Sequence, residues 1–213
     1  MDTIKSKYHE TLAATVIKNL EKRQMEGYYC PTVEDAEKLA FSFLKDGQTV
    51  SFGGSMTLEE TGMLTALRHD SSIHLIDRST AKTPDETKKM YHDALSSDVY
   101  FMSTNAITTG GELVNIDGTG NRVAALIYGP ETVVILAGMN KIAANVDEAL
   151  SRVHNVATAQ NCIRLDKKTP CAITGACADC LSPDCICNQV VITRRSGIKG
   201  RIKVLLIGES FGY

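Results

Sequence analysis

Short apolar runs alternate with amphipathic stretches in the first half of the chain. The apolar runs predict strands, and each is followed by a stretch that predicts a helix. The predicted strands are Gln48 to Phe52, Ile73 to Asp77 and Asp98 to Ser103. Capping boxes, in which a Thr is followed three residues later by an acid, predict helix starts at Thr32, Thr57 and Thr83. An amphipathic N-terminal helix is predicted over residues 3–26.

The regular alternation of predicted strands and helices stops in the second half of the chain. Three consecutive strands are predicted at Glu112 to Asp117, Val123 to Tyr128 and Thr132 to Ala137, then a helix at Lys141 to His154 and two strands at Gln189 to Arg194 and Arg201 to Ile207. The pattern predicts an α/β fold whose mainly parallel sheet is flanked by helices and has an antiparallel portion. A single domain over residues 1–213 is expected, with helix 3–26 and the Cys-rich segment 171–187 as elaborations.

Composition narrows the class of protein. The chain has 213 residues, of which 43% are hydrophobic and 23% charged, with a formal charge of −2. This composition excludes a disordered chain, and the charge favours neither nucleic acid nor an acidic membrane as partner. The apolar runs are too short for a spanning helix, and the N-terminus lacks the features of a secretion signal. We therefore expect a cytoplasmic protein, with a homodimer as the default assembly.

Polar, glycine-containing loops follow several of the predicted strands. Ligands bind at the carboxyl ends of strands in open α/β sheets, so these loops predict a crevice for a small anionic metabolite. The candidate ligand-binding residues are Gly53, Gly54, Ser55, Thr57, Ser103, Asn105, Thr108, Gly110, Asn121, Arg122 and Lys141. The alternatives are ordinary ones, since Ser55 or Thr57 can simply cap a helix and Arg122 can form a structural salt bridge.

Two carboxylates are candidates for chemistry in this crevice. Glu59 and Glu112 have the residue type of a general base or nucleophile, although solvated surface acids are the ordinary alternative. The sequence Gly118-Thr119-Gly120 begins like a dinucleotide fingerprint. Its third glycine is missing and a strand is predicted where a helix is required, so we reject that interpretation.

Five of the seven cysteines fall within one short segment near the C-terminus. Cys177 and Cys180 form a C-x-x-C pair, and Cys171 and Cys187 complete a set of four candidate metal ligands. The spacing does not separate zinc from an iron–sulfur cluster. A redox pair and inert buried thiols are the alternatives, and Cys185 has no assigned role.

Four sequence blocks resemble the lactate-utilisation (LUD) domain family, in its short bacterial form. They are residues 53–62 (GGSMTLEETG), 103–112 (STNAITTGGE), 117–123 (DGTGNRV) and 129–142 (GPETVVILAGMNKI). The Cys-rich tail is similar to the extension of the short members, which supports the four ligands chosen above. The resemblance implies a fold like that of the sugar-phosphate isomerase and CoA-transferase superfamily.

Three functional hypotheses follow. The resemblance implies a protein that binds a small anionic metabolite, or a protein partner, in support of lactate or organic-acid oxidation. The second hypothesis is an isomerase or acyl/CoA-transferase-like enzyme that uses Glu59 or Glu112. The third is an iron–sulfur redox accessory built on the cysteine segment.

Overall fold

Ten strands and nine α-helices are found in the computed structural model, which describes residues 3–213. The strands are β1 (Glu26–Cys30), β2 (Thr49–Phe52), β3 (His74–Ile76), β4 (Val99–Met102), β5 (Ala106–Thr108), β6 (Leu113–Asp117), β7 (Thr132–Gly138), β8 (Ile142–Ala143), β9 (Gln189–Thr193) and β10 (Ile202–Ile207). The helices are α1 (Thr3–Lys22), α2 (Val33–Phe41), α3 (Met56–Glu60), α4 (Met63–His69), α5 (Pro84–Ala94), α6 (Asn121–Ile127), α7 (Val146–Arg152), α8 (Ala159–Arg164) and α9 (Pro170–Thr174). A π-helix, Val153–Thr158, joins α7 to α8.

The strands form two sheets of different character. The larger sheet has the order β1-β10-β7-β4-β2-β3, and all its neighbouring strands are parallel. The smaller sheet has the order β8-β5-β6-β9, in which β6 is antiparallel to both of its neighbours. The predicted α/β class, with a mainly parallel sheet and an antiparallel portion, is confirmed.

The larger sheet is buried on both faces, as the side chains of its central strand β7 show. Alternate side chains of a strand point to opposite faces, and those of Ile135 and Leu136 enter two different apolar clusters. The cluster around Ile135 includes Leu20 of α1, whereas the cluster around Leu136 includes Leu58 of α3. A strand with helices on both sides needs a continuous apolar run, which Thr132–Gly138 supplies.

Two of the three predicted helix starts are confirmed. The Thr32 and Thr83 hydroxyls accept hydrogen bonds at 3.2 Å from the amides of Asp35 and Glu86. The prediction at Thr57 is wrong, because Ser55 is the N-cap of α3 and accepts from the Leu58 amide at 3.3 Å.

Three other elements differ from the sequence prediction. The predicted strand Val123 to Tyr128 is wrong, because residues 121–127 form α6 after a glycine in the left-handed conformation, Gly120 at φ +90°. The predicted helix from Lys141 starts at Val146 instead, since a 3-10 turn and β8 come first. The N-terminal helix ends at Lys22, so that Glu26–Cys30 forms β1.

Over residues 3–213, every helix falls short of the length and apolar character that a membrane crossing requires.

Candidate functional site

A polar cavity of about 520 Å³ opens where several strands of both sheets end. The loops after β2 and β4 line it at Gly54–Thr57 and Ser103–Asn105, and the turn after β6 lines it at Asp117–Thr119. The residues just before β8, and the segment after α8, complete the wall. Because these loops follow carboxyl ends of strands, the cavity occupies the position where open α/β sheets bind ligands.

Arg122 forms part of the cavity wall, and its guanidinium is fully engaged with the protein. Its Nε lies 3.3 Å from the Asp117 carboxylate, and Nη1 donates to Ser103 O at 3.1 Å and to Asn115 Oδ1 at 2.5 Å. Its Nη2 donates to Asn105 Oδ1 and to Ile116 O, both at 3.0 Å. All five N–H groups therefore have protein acceptors, and Arg122 organises the floor of the cavity.

Lys141 is the most unusual cation of the site. Its side chain is only 4% exposed, yet it contributes to the cavity wall. Among residues 3–213, the Nζ of Lys141 has no hydrogen-bond acceptor, and no carboxylate lies within 4 Å of it. Burial, with smaller effects from Arg152 and Arg122, lowers the pKa of Lys141 to about 7, while Glu60 acts in the opposite direction. This shift brings the pKa of the amine close to neutral pH.

Other basic side chains surround the same space. Arg78 stacks on the Tyr91 ring, with its Cζ 5.6 Å from the ring centroid, and donates to Tyr91 Oη at 3.4 Å. A Cβ at Gly54 would collide with the Arg78 guanidinium, so the glycine allows this close approach. With Arg164 and Lys167, the wall contains five basic side chains and two acidic ones. One of those acids, Asp117, is already paired with Arg122.

The C-terminal tail closes one side of the cavity next to Lys141. The Phe211 amide donates to Asn140 Oδ1 at 3.2 Å, and the Gly212 amide donates to Glu60 at 2.6 Å. Thr57 Oγ1 donates to Phe211 O at 3.3 Å. These contacts place Tyr213 in the cavity wall.

Comparison with known proteins identifies the family. The family model described as the LUD domain matches residues 13–207. The chain belongs to the LUD domain family. A search of curated proteins finds no match.

One solved structure shares its fold with the LUD domain at low sequence identity, and two others align over about half of the chain. A DUF162 family protein from Deinococcus radiodurans aligns with a TM-score of 0.52 and 10% identity, covering 93% of this chain and 98% of that one. Ribose 5-phosphate isomerase A from Methanocaldococcus jannaschii aligns at a TM-score of 0.33 and 19% identity, over 53% of this chain and 54% of that one. The eIF2B delta protein from Chaetomium thermophilum aligns with a TM-score of 0.34 and 20% identity, and the alignment covers 52% of this chain and 48% of that one.

The cavity of the LUD domain brings together most of the ligand-binding residues predicted from sequence. The predicted residues that line it are Gly54, Ser55, Thr57, Ser103, Asn105, Asn121, Arg122 and Lys141. Gly53 lies behind this wall, since a Cβ there would meet Arg122 Cγ and Tyr100 Oη, each at 3.1 Å. Sequence reasoning missed Arg78, Arg164 and Lys167, whose only signal is positive charge in segments without a recognisable motif.

The two candidate catalytic carboxylates do not line the cavity. Glu112 forms an ion pair with Arg23 and accepts a hydrogen bond from Thr108. Arg23 lines a separate depression together with Gly110, and Thr108 lines neither this depression nor the cavity. Burial opposes ionisation of Glu112, but the Thr108 hydroxyl, a backbone amide and Arg23 outweigh it and lower the pKa. Glu59 lies on exposed surface of α3.

The thiols of the cysteine segment in the LUD domain have both thiol and non-thiol neighbours. Cys185 interacts with Cys180 and with Cys187, and Cys171 interacts with Cys162. Cys177 Sγ lies 3.7 Å from His154 Nδ1, Cys171 Sγ lies 3.2 Å from Thr169 Oγ1, and Cys187 Sγ lies 3.8 Å from Thr158 Oγ1. Within the described part of the chain, no three His, Cys, Asp or Glu side chains are grouped as metal ligands. Binding of zinc or an iron–sulfur cluster by Cys171, Cys177, Cys180 and Cys187 stays a prediction.

The ionisation of these thiols differs along the segment. Burial raises the pKa of Cys187 to about 12, whereas hydrogen bonds with the backbone and side chain of Ser182 lower the pKa of Cys180. Cys185, which had no predicted role, lines the cavity and accepts a hydrogen bond from the Cys187 amide at 3.4 Å. The segment therefore contributes to the wall of the cavity.

Proposed function

We propose that this LUD domain binds a small organic anion in the cavity at the strand ends, in support of the oxidation of lactate or a related organic acid. The observation that carries the proposal is the surplus of basic side chains in the cavity wall. Arg78 has no carboxylate partner among residues 3–213, and Lys167 likewise forms no ion pair there. A carboxylate or phosphate would supply the missing counter-charge.

The size and polarity of the cavity support a small ligand. A volume of about 520 Å³ lies within the range of small-molecule sites. Asn105 also lines the cavity, and its Nδ2 can donate to the uncharged oxygen of a hydroxy or oxo acid. The Ser103 and Thr104 hydroxyls donate to backbone carbonyls, so their oxygens can accept a hydrogen bond from the hydroxyl of a hydroxy acid. Glu59 and Glu112 lie outside this space, so the proposal gives them no part in ligand binding.

The test is isothermal titration calorimetry with sodium lactate, sodium pyruvate and inorganic phosphate as separate probes. We expect at least one of these anions to bind, and Arg78→Gln to weaken its binding about tenfold, as expected for a lost charge-assisted hydrogen bond. The matched control is Lys199→Gln, because Lys199 is exposed outside the cavity. Binding of none of the anions, or equal affinity for Arg78→Gln and wild type, would contradict the proposal.

The resemblance also implied protein partners in a lactate-oxidising system. Those partners and the homodimer stay predictions.

A further inference from the structure

Lys141 combines three properties that the proposed anion site does not by itself require. The side chain is buried, its Nζ has no protein acceptor among the described residues, and it borders the cavity. A lysine that served only as a counter-ion would remain protonated without a ligand, and that charge would lie buried close to other cations. We infer that Lys141 is the amine nucleophile for a carbonyl compound that carries a carboxylate or phosphate group. This inference rests on the proposed function.

Charged groups around Lys141 favour the neutral amine that such a reaction needs. Arg122 of α6 and Arg152 of α7 both disfavour the ammonium form, and Glu60 of α3 is the carboxylate that opposes them. The Glu60 carboxylate accepts the Gly212 amide at 2.6 Å, so part of its hydrogen-bonding capacity is used. Desolvated lysines beside other cations are the type of lysine that forms imines with carbonyl substrates.

Neighbouring groups offer a position for the rest of such a substrate. Arg122 and Arg152 cannot turn toward a ligand freely, because Arg152 donates to Asn105 O at 2.7 Å and to Asn140 O at 3.0 Å. Arg78, Arg164 and Lys167 are therefore the cations that remain to hold the anionic group, although Arg164 already donates to Asn161 Oδ1 through Nε and Nη2. A two-point arrangement, with the anion on Arg78 and the carbonyl at Nζ, would select small molecules that carry both groups.

The covalent step is balanced without any oxidant or reductant. The Nζ lone pair attacks the carbonyl carbon, and the carbon–oxygen π bond breaks to give a carbinolamine after proton transfer from nitrogen to oxygen. The carbon–oxygen single bond then breaks as the nitrogen loses its second proton, and one molecule of water leaves. The product is an imine between Lys141 and the substrate carbon.

The test is reductive trapping of the wild-type chain with sodium cyanoborohydride, followed by peptide mass spectrometry. One probe is pyruvate, whose ketone lies beside a carboxylate, and the other is dihydroxyacetone phosphate, which carries a ketone and a phosphate. We expect a reduced adduct on the peptide that contains Lys141, with at least about tenfold higher occupancy than on exposed Lys199 or Lys88. Excess lactate, which has the carboxylate but no carbonyl, should suppress a pyruvate adduct.

Two outcomes would overturn the inference while leaving the proposed anion binding intact. One is calorimetric binding of pyruvate or phosphate with no adduct on Lys141, and the other is an adduct spread evenly over exposed lysines. Lys141→Arg is a further check, because it keeps the positive charge and removes the nucleophile. That variant should give no adduct with either probe, and failure of all anions to bind wild type would refute the proposed function itself.

Discussion

One carboxylate oxygen of Asp117 pairs with the Arg122 guanidinium, and the other accepts hydrogen bonds from the turn before α6. Its Oδ2 lies 3.3 Å from Arg122 Nε, and its Oδ1 accepts the amides of Thr119 at 3.2 Å and Gly120 at 2.8 Å. The same residue thus starts the helix that carries Arg122 and neutralises the Arg122 guanidinium. Both side chains of the pair are about nine-tenths buried.

This double role predicts that Asp117→Asn destabilises the fold strongly. The amide oxygen of asparagine can still accept the two backbone amides, so the substitution removes mainly the charge. An uncompensated guanidinium would remain buried, which costs about 3–5 kcal/mol of unfolding free energy. Urea denaturation measures the loss. Asp166→Asn, which breaks an exposed pair with Lys168, is the control and should leave the midpoint unchanged.

Lys141 predicts that stability rises with pH above neutrality. Its folded pKa of about 7 lies below the ordinary value of 10.5, so the unfolded chain binds more protons between those values. The contribution of Lys141 to stability is therefore lowest below pH 7 and increases toward pH 10.5, by about 1.6 kcal/mol between pH 7 and pH 8.5. Denaturation curves at several pH values test this. Lys141→Met should flatten the slope, and a slope equal to that of wild type would show that other groups cause it.

Glu112 is predicted to contribute to stability and not to anion binding. Its lowered pKa means that its stabilising contribution is present above the ordinary value of 4.5 and is lost as the pH falls through the lower folded value. Glu112→Gln should cost about 1 kcal/mol at pH 7 and progressively less as the pH falls below 4.5. Calorimetry should show that the variant binds anions with unchanged affinity. A variant of normal stability that no longer bound anions would show that Glu112 belongs to the binding site.

The cysteine segment is predicted to keep its place without a metal. The Asn188 amide donates to Asp117 O at 3.1 Å, and the Cys177 amide donates to Asn155 Oδ1 at 3.1 Å, so ordinary hydrogen bonds hold the segment to the body. Thermal unfolding in the presence of EDTA should therefore match that of the untreated protein. Elemental analysis of anaerobically purified protein accompanies the measurement. Stoichiometric zinc or iron, lost together with stability in a Cys177→Ser, Cys180→Ser variant, would show that the thiols rearrange around a metal.

Local sequence signals predicted much of the larger sheet. Runs such as Asp98 to Ser103 contain enough apolar residues to predict a buried strand, and β4 is found within that range. Capping by Thr32 and Thr83 depends on contacts three residues apart, which the sequence shows directly. The convergence of the Gly54 and Ser103 loops followed from the rule that parallel strands end at one edge.

Elements that depend on distant partners could not be predicted in the same way. Residues 123–128 form a continuous apolar run that suggests a strand, but Gly120 and the Asp117 turn direct the chain into a helix, where Ala124 and Ala125 are favourable. In the site, Lys141 was singled out for its position before a predicted helix. Its burial arises instead from the 3-10 turn at Met139–Lys141 and from packing of the distant tail.

The pairing of β1 with β10 also has a consequence for the timing of folding. Glu26 lies opposite Lys203 and Cys30 opposite Ile207, so an edge strand of the sheet pairs with residues about 177 positions later. β6 likewise pairs with a strand that lies much later in the chain, because Asp117 is opposite Gln189 of β9. During synthesis, β1 therefore lacks its neighbour until the last strand emerges from the ribosome. We expect slow, late assembly in which both sheets are completed only after the larger part of the chain has been made.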